Sequence, residues 1–163
     1  MANQDITDLL LDHVVNIIEN GLPQIQDALA AKGYPTTVKN VWKDEVKVID
    51  GYPCVVVKAT DKKDAWFATR VRDNTYNFVI DCMSKVLKRE EATRFSRCFG
   101  AAVQNWLNDF YNLRLPIEGT HNIITYDSFA PSLTYGYSGS AGAIRVARIE
   151  YFAKVSNSVS APV

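Results

Sequence analysis

Residues 52–83 read YPCVVVKATDKKDAWFATRVRDNTYNFVIDCM, and this stretch decides the fold of the chain. The β-branched run at 54–57 predicts a strand with little solvent exposure. The polar group at 61–64 predicts a turn. Apolar and polar side chains then alternate, on odd numbers over 67–71 and on even numbers over 76–82. The stretch therefore predicts a sheet with one packed face and one wetter face.

The alternation changes phase at Asp73-Asn74. A regular strand through that point would move half of its side chains to the other face. We therefore predict one long strand with a bulge at Asp73-Asn74, in preference to a second hairpin. Asn77 and Asp81 are expected to point away from the core. The residues expected to point into it are Tyr76, Phe78 and Ile80.

Composition limits the class of protein. A chain of 163 residues with 47% apolar and 22% charged side chains is typical of one soluble globular domain. Eighteen basic residues balance eighteen acidic ones, which argues against a protein held on nucleic acid by phosphate contacts. The three cysteines form neither a zinc pattern nor a disulfide framework, so we expect free thiols. No signal peptide or membrane-spanning run is evident, and we expect synthesis in a reducing cytosol.

Helical patterns frame the sheet. Ile6 to Ile18 predicts an amphipathic helix that stops at Asn20-Gly21, and a second helix is expected from Gln24 to Lys32. The chain then turns extended from Thr36 to Ile49. A longer helix is expected to begin at Lys88 and to end at Leu115-Pro116, and its Gly100 predicts close packing against another element. Its predicted apolar side consists of Phe95, Cys98 or Phe99, Ala102, Trp106, Phe110 and Leu113.

The last third predicts two strands joined by a long connection. A short strand is expected over 122–128. Residues 129–142, with their glycines, serines and tyrosines, predict an exposed, mobile loop. A final strand over 143–155 is expected to carry a bulge near Ala147. We interpret 156–163 as a flexible C-terminal tail.

A search for catalytic chemistry finds no glycine-rich phosphate loop, nucleophile elbow or zinc-protease motif. His13 has no ligand-type residue at helical spacing, and a structural role is its simplest interpretation. His121 opens a predicted strand and is interpreted in the same way. We predict no catalytic, cofactor-binding or metal-binding residues.

The order of elements supplies the functional hypothesis. An amphipathic helix, an extended segment, the Tyr52-Pro53 valine strand and a long strand containing TYNFVI at 75–80 come first. A helix and a final pair of strands ending in ARIEYFAKV at 147–155 follow. This order resembles the tail terminator, or tail completion, proteins of tailed bacteriophages. The resemblance implies an α+β fold, with residues 1–155 forming a single domain whose two main helices pack on one face of an antiparallel sheet.

The resemblance also implies a function. Proteins of that family form a ring, here expected to be a hexamer, that caps the tail tube and joins the tail to the neck and head. The implied partners are other copies of this chain, the tail tube protein and neck or head-completion proteins, with no membrane and no sequence-specific nucleic acid. The implied location is the virion, after assembly in the host cytoplasm. The alternatives are a head-completion or neck adaptor ring, and a small cytosolic enzyme or ligand-binding module.

Aromatic and basic residues at the sheet ends are the candidate contacts in such an assembly. Tyrosines supply the amphipathic area that protein interfaces favour, and arginines could pair with acidic groups such as Glu150 or Asp127. The candidate interface residues are Arg70, Arg72, Leu133, Tyr135, Tyr137, Arg145 and Arg148.

Overall fold

A computed structural model of the chain describes residues 6–44, 49–68, 71–85, 88–109, 124–138 and 144–158. These contain two helices and five strands, in the order α1 (Ile6–Ala31), β1 (Asn40–Lys43), β2 (Cys54–Ala68), β3 (Val71–Ser84), α2 (Arg89–Asn108), β4 (Ile124–Ser138) and β5 (Ile144–Ser158). The strands form one sheet in the spatial order β1-β2-β3-β5-β4. The α+β class is confirmed. The sheet is mostly antiparallel, as predicted, and β1 alone among the described strands pairs in parallel, with β2.

The core lies between the two helices and one face of the sheet. Tyr76, Phe78 and Ile80 on β3 are at most 1% exposed, which confirms the predicted register. They meet buried side chains of β5, of which Tyr151 packs its ring 6.3 Å from that of Phe78. The helix α1 contacts β1 and β2, whereas α2 contacts β3, β5 and β4. Each helix therefore covers its own half of the sheet.

The predicted turn at 61–64 and the predicted bulge at 73–74 are both wrong. β2 runs through 61–64 and ends at Ala68, and β3 begins at Val71. β3 pairs without a register shift through Asp73-Asn74, and the irregularities of this hairpin lie on β2. Phe67 of the odd apolar set lies on β2, whereas the even set over 76–82 lies on β3, so the change of phase needs no bulge within β3. The side chains at 61–63 are exposed, and a strand solvated there tolerates the polar residues that are also typical of turns.

The predicted break at Asn20-Gly21 is also wrong, because α1 is one continuous helix of 26 residues that contains Pro23. Its buried side chains keep helical spacing on both sides of the predicted break. Gly21 lies against the indole of Trp106, where a Cβ atom would overlap the ring. The indole Nε1 of Trp106 also donates a 2.9 Å hydrogen bond to the carbonyl oxygen of Ile17. Packing against α2 therefore outweighs the local preference of this segment to end a helix.

The helix α2 buries Phe95 and Phe99 of the predicted face and half-buries Ala102 and Trp106, while Val103 and Leu107, which were not predicted, are fully buried. It ends at Asn108, before the predicted end at Leu115-Pro116. Phe110 and Leu113 lie outside the described residues. Gly100 is buried where a Cβ would lie 2.7 Å from the Cβ of Ala147 and 2.9 Å from a methyl carbon of Leu133. The predicted close packing at Gly100 is confirmed, since α2 rests directly on β4 and β5.

The predicted loop over 129–142 is wrong for its larger part. Residues 129–138 form the second half of β4 and pair with β5, and 139–143 lie outside the described residues. β5 pairs with β3 without a shift at Ala147, so the bulge predicted there is wrong. β5 also extends to Ser158, into the segment 156–163 that was predicted as a tail. Neither described helix combines the length and hydropathy needed to cross a membrane.

Candidate functional site

Exposed aromatic side chains mark β4. Phe129, Tyr135 and Tyr137 are 46%, 53% and 67% exposed, and among the described residues they are the exposed large hydrophobic side chains. Phe129 pairs in register with Phe152, on the face that the helices leave open. Tyr135 and Tyr137 pair with Ala147 and Arg145, on the face that the helices cover. β4 is the outermost strand of the described sheet, so these rings flank an edge strand on both of its faces.

A bulge between Phe129 and Ser132 fixes the course of β4, and α2 supports this bulge. Ala130 is fully buried there, and its N–H donates a 2.8 Å hydrogen bond to Oδ1 of Asn108. Its carbonyl oxygen accepts bonds from Nε2 of Gln104 at 3.0 Å and from Nδ2 of Asn108 at 3.3 Å. Pro131 follows, at an edge position where a missing N–H removes no ladder bond from the sheet interior.

Two arginines lie beside the tyrosines of β4. The guanidinium carbon of Arg145 lies 4.1 Å from the ring centre of Tyr137, and that of Arg97 lies 6.0 Å from the ring centre of Tyr135. These are cation–π distances. Arg145 is only 8% exposed, and no carboxylate within the described ranges forms an ion pair with it. A cavity of about 120 Å³ at this place is lined by Thr93, Ser96, Arg97, Tyr135, Tyr137 and Arg145. We call it the arginine cavity.

The open face of the sheet carries a second concave region, a groove of about 570 Å³. Its charged groups are Asp81, Arg148 and Lys58. Arg148 donates bonds of 2.8 and 2.9 Å to the two carboxylate oxygens of Asp81, its direct cross-strand neighbour. This ion pair raises the pKa of Arg148. Lys58 lies 3.9 Å from the same carboxylate, so the charged groups of the groove are paired with one another.

Acidic residues mark the opposite edge of the molecule. The helix α1 has no lysine or arginine, and its acidic residues are Asp8, Asp12, Glu19 and Asp27. At 100° per residue, Asp8, Asp12 and Glu19 fall within about 40° of one another around the helix axis. Nζ of Lys43 on β1 donates a 2.7 Å hydrogen bond to Asp12, which places these three residues, the acidic stripe, beside the β1 edge.

Carboxylates outnumber amines around Lys43. The hydrogen bond to Asp12, together with the charges of Asp12, Asp44 and Asp8, raises the pKa of Lys43. The acidic stripe beside β1 thus keeps a local excess of negative charge. The chain is neutral as a whole, but this stripe and the two arginines beside β4 are local clusters of opposite charge.

The structure brings only some of the candidate interface residues together. Tyr135, Tyr137 and Arg145 meet at the arginine cavity. Leu133 is half-buried beneath α2 and belongs to the core packing. Arg148 lies on the opposite face, and its partner is Asp81 rather than the predicted Glu150 or Asp127.

The remaining two candidates are the hairpin arginines. Arg70 lies outside the described residues. The backbone of Arg72 pairs with Asn157, at the other end of β3 from Ser84, the partner of Arg145. The separation along the strand is roughly 40 Å at 3.3 Å per residue, so Arg72 belongs to a different part of the surface.

Sequence reasoning missed Arg97, Phe129 and the acidic stripe. The stripe has a readable signal, since carboxylates at positions 8, 12 and 19 share one helix face without a basic neighbour. Arg97 has none, because its proximity to Tyr135 depends on how α2 crosses β4.

Other reactive groups have structural environments. Cys54, Cys82 and Cys98 are free thiols, as predicted, and burial raises the pKa of Cys54 to about 11. Partial burial lowers the pKa of His13. Within the described ranges, no group of three or more His, Cys, Asp and Glu residues could hold a metal ion. His121 lies outside these ranges.

No protein-family model matches this sequence, and a search of curated proteins finds no similar protein. Among solved structures, the chain has a distant likeness to a chain from the virion of a native gene transfer agent particle. The two are 12% identical with a TM-score of 0.47, and the likeness covers 79% of this chain and 84% of that chain. At this identity and TM-score, the likeness assigns no function to this chain.

Proposed function

We propose that this chain is a structural protein of a phage-like virion, in which copies form a ring that caps the tail tube and joins the tail to the neck. The element order that resembles the tail terminator proteins is the starting point, and the fold agrees with the α+β class that this resemblance implies. The partners under this proposal are further copies of the chain, the tail tube protein and the neck proteins, and the location is the virion.

The observation that carries the proposal is the edge strand β4. Natural proteins protect an exposed edge with charges, prolines, bulges or a covering element. Here Pro131 and the bulge protect only one part of the strand, and residues 132–138 read SLTYGYS, with neither a charge nor a proline. Tyr135 and Tyr137 add exposed aromatic area, which is enriched at the centres of protein interfaces. Such an edge suits a chain that functions among many copies of itself.

The rest of the fold suits the same role. The helix α2 holds β4 through Gly100 and through the hydrogen bonds to Ala130, so the edge is presented on a rigid support. A rigid contact surface lets identical copies meet at one fixed angle, which closing a ring requires.

Purified full-length chain tests the proposal. Light scattering should give a mass that is a whole multiple of 18.2 kDa, sixfold for a hexamer, and negative-stain electron microscopy should show rings. Replacing both exposed tyrosines, with Tyr135→Ser and Tyr137→Ser, should weaken ring formation at least about tenfold. Thr134→Ala, an exposed change on the other face of the same strand, is the matched control and should leave the rings intact.

The position of the chain in the particle tests the tail-capping role and separates the alternatives. Antibodies against the chain should label the head-proximal end of isolated tails. Labelling of tail-less heads instead would identify a head-completion or neck adaptor ring. A monomer that labels neither heads nor tails would contradict both virion roles and favour a small enzyme or ligand-binding module.

A further inference from the structure

The arginine cavity contains a positive charge for which the described part of the chain supplies no counter-charge. Arg145 is more than nine-tenths buried, and within the described residues its guanidinium contacts an aromatic ring and pairs with no carboxylate. Burying a charge without a partner is costly, so an anion at this position would be stabilising. The cavity has room for a carboxylate group, because its volume of about 120 Å³ exceeds the roughly 30 Å³ of one water molecule. Ser96 also lines it, and its hydroxyl could donate to an anion, whereas the hydroxyl of Thr93 already donates to the carbonyl oxygen of Arg89 at 3.3 Å.

The same chain carries the complementary group on its other edge. The acidic stripe of Asp8, Asp12 and Glu19 lies beside β1, at the opposite end of the strand order from β4. Asp8 and Glu19 are exposed, and Asp12 is half-exposed while bound to Lys43. A second copy placed edge to edge would therefore present carboxylates to the arginines beside β4.

Charge also selects the orientation of the two copies. Two β4 edges that meet around Tyr135 and Tyr137 would bring Arg97 and Arg145 of one copy against the same arginines of the other, and like charges repel. A contact between the β4 edge and the α1–β1 edge joins opposite charges. Such a contact uses two different surfaces of each copy, and repeating it closes a ring when the rotation is suitable.

We propose that the arginine cavity beside β4 binds a carboxylate of the acidic stripe of a second copy, so that copies join head to tail through opposite edges of the sheet. This inference rests on the proposed function, because it identifies the two surfaces that meet around the ring. The exposed rings of Tyr135 and Tyr137 lie within the contact and shield the ion pairs from water.

Mixing two complementary variants tests the inference. In the first variant, Arg97→Glu places a carboxylate of the same chain beside Arg145 and closes the β4 edge. In the second, Asp8→Asn with Glu19→Gln removes two charges of the acidic stripe without adding a cation that could pair with the carboxylate of the first variant. Each alone should associate at least about tenfold more weakly than the parent. An equimolar mixture should form heterodimers of two chains and nothing larger, because one intact β4 edge and one intact stripe are left to meet.

Two further variants control for altered charge and for folding. Asp27→Arg lies on α1 but outside the stripe, and Lys63→Glu lies on the exposed part of β2, so both should assemble like the parent. All changed residues are exposed, and unchanged circular dichroism and thermal unfolding would confirm that the variants fold.

The outcomes separate this inference from the proposed function. Parent rings together with a monomeric mixture would overturn the head-to-tail contact and leave the ring intact. An Arg97→Glu variant that assembles like the parent would exclude the arginine cavity as the contact. Heterodimers from a chain that labels no virion would support this contact and contradict the virion role. If both the parent protein and the mixture of variants stay monomeric, the inference is overturned, and antibody labelling still decides the virion role.

Discussion

At the scale of single residues, hydrogen bonds to buried backbone groups decide where β4 can lie. The side chain of Asn108 forms hydrogen bonds with both the N–H and the carbonyl oxygen of Ala130. Ala130 lies in the bulge of β4, where the strand ladder does not pair it. A buried backbone group that loses its partner costs more than an ordinary hydrogen bond contributes. Nothing local in the sequence links Asn108 to a residue 22 positions away, which explains why its role was not predicted.

We expect Asn108→Ala to lower the free energy of unfolding by about 1–3 kcal/mol, because the N–H of Ala130 is left buried and unpaired. Asn105→Ala removes the same type of side chain at an exposed position of the same helix, and it should lower the free energy of unfolding by less than about 0.5 kcal/mol. Urea denaturation measures both. Equal losses for the two variants would mean that the amide of Asn108 does not support the bulge.

At the scale of elements, α1 contains two residues that normally end helices, and they have opposite consequences. Pro23 is exposed, and its missing N–H leaves the carbonyl oxygen of Glu19 without its usual donor. Pro23→Ala should therefore raise stability by about 1–2 kcal/mol, less a few tenths for the more flexible unfolded chain. Gly21→Ala should lower stability by about 1–3 kcal/mol, because the new Cβ overlaps Trp106. Thermal unfolding of both variants checks the pair, and stabilisation by both would contradict the close packing of α1 on α2.

The same scale explains which elements the sequence could predict. Alternation identified the core face of β3, and helical spacing identified the buried face of α2, since both patterns arise from burial on one side. The sequence predicts the first half of β4 as a strand but the second half, residues 129–138, as a loop, because glycine, serine and tyrosine suit a strand only when a neighbouring strand such as β5 pairs with them. Asp61–Asp64 were mistaken for a turn for the same reason, as partners on β3 at Asn74–Asn77 supply their pairing. Long-range pairing is the information that a local pattern lacks.

At the scale of the whole molecule, equal numbers of acidic and basic residues conceal a local separation of charge. The acidic stripe of α1 lies beside β1, and Arg97 and Arg145 lie beside β4. A zero net charge removes the overall repulsion between copies, and the separation of charge orients their approach. The candidate site was only partly predictable, because the tyrosines are visible in the sequence but the meeting of β4 with α2 is not.

This separation of charge predicts how salt affects self-association. If opposite charges meet in the head-to-tail contact, raising NaCl from 50 to 500 mM should weaken association by about tenfold, because the screening length falls well below 10 Å. Analytical ultracentrifugation across a salt series measures the effect. Asp27→Arg should keep the salt dependence of the parent, whereas Arg97→Glu should lose most of it along with its affinity. An apolar contact through the tyrosines alone would be insensitive to NaCl and strengthened by sulfate, and that result would contradict a contact guided by charge.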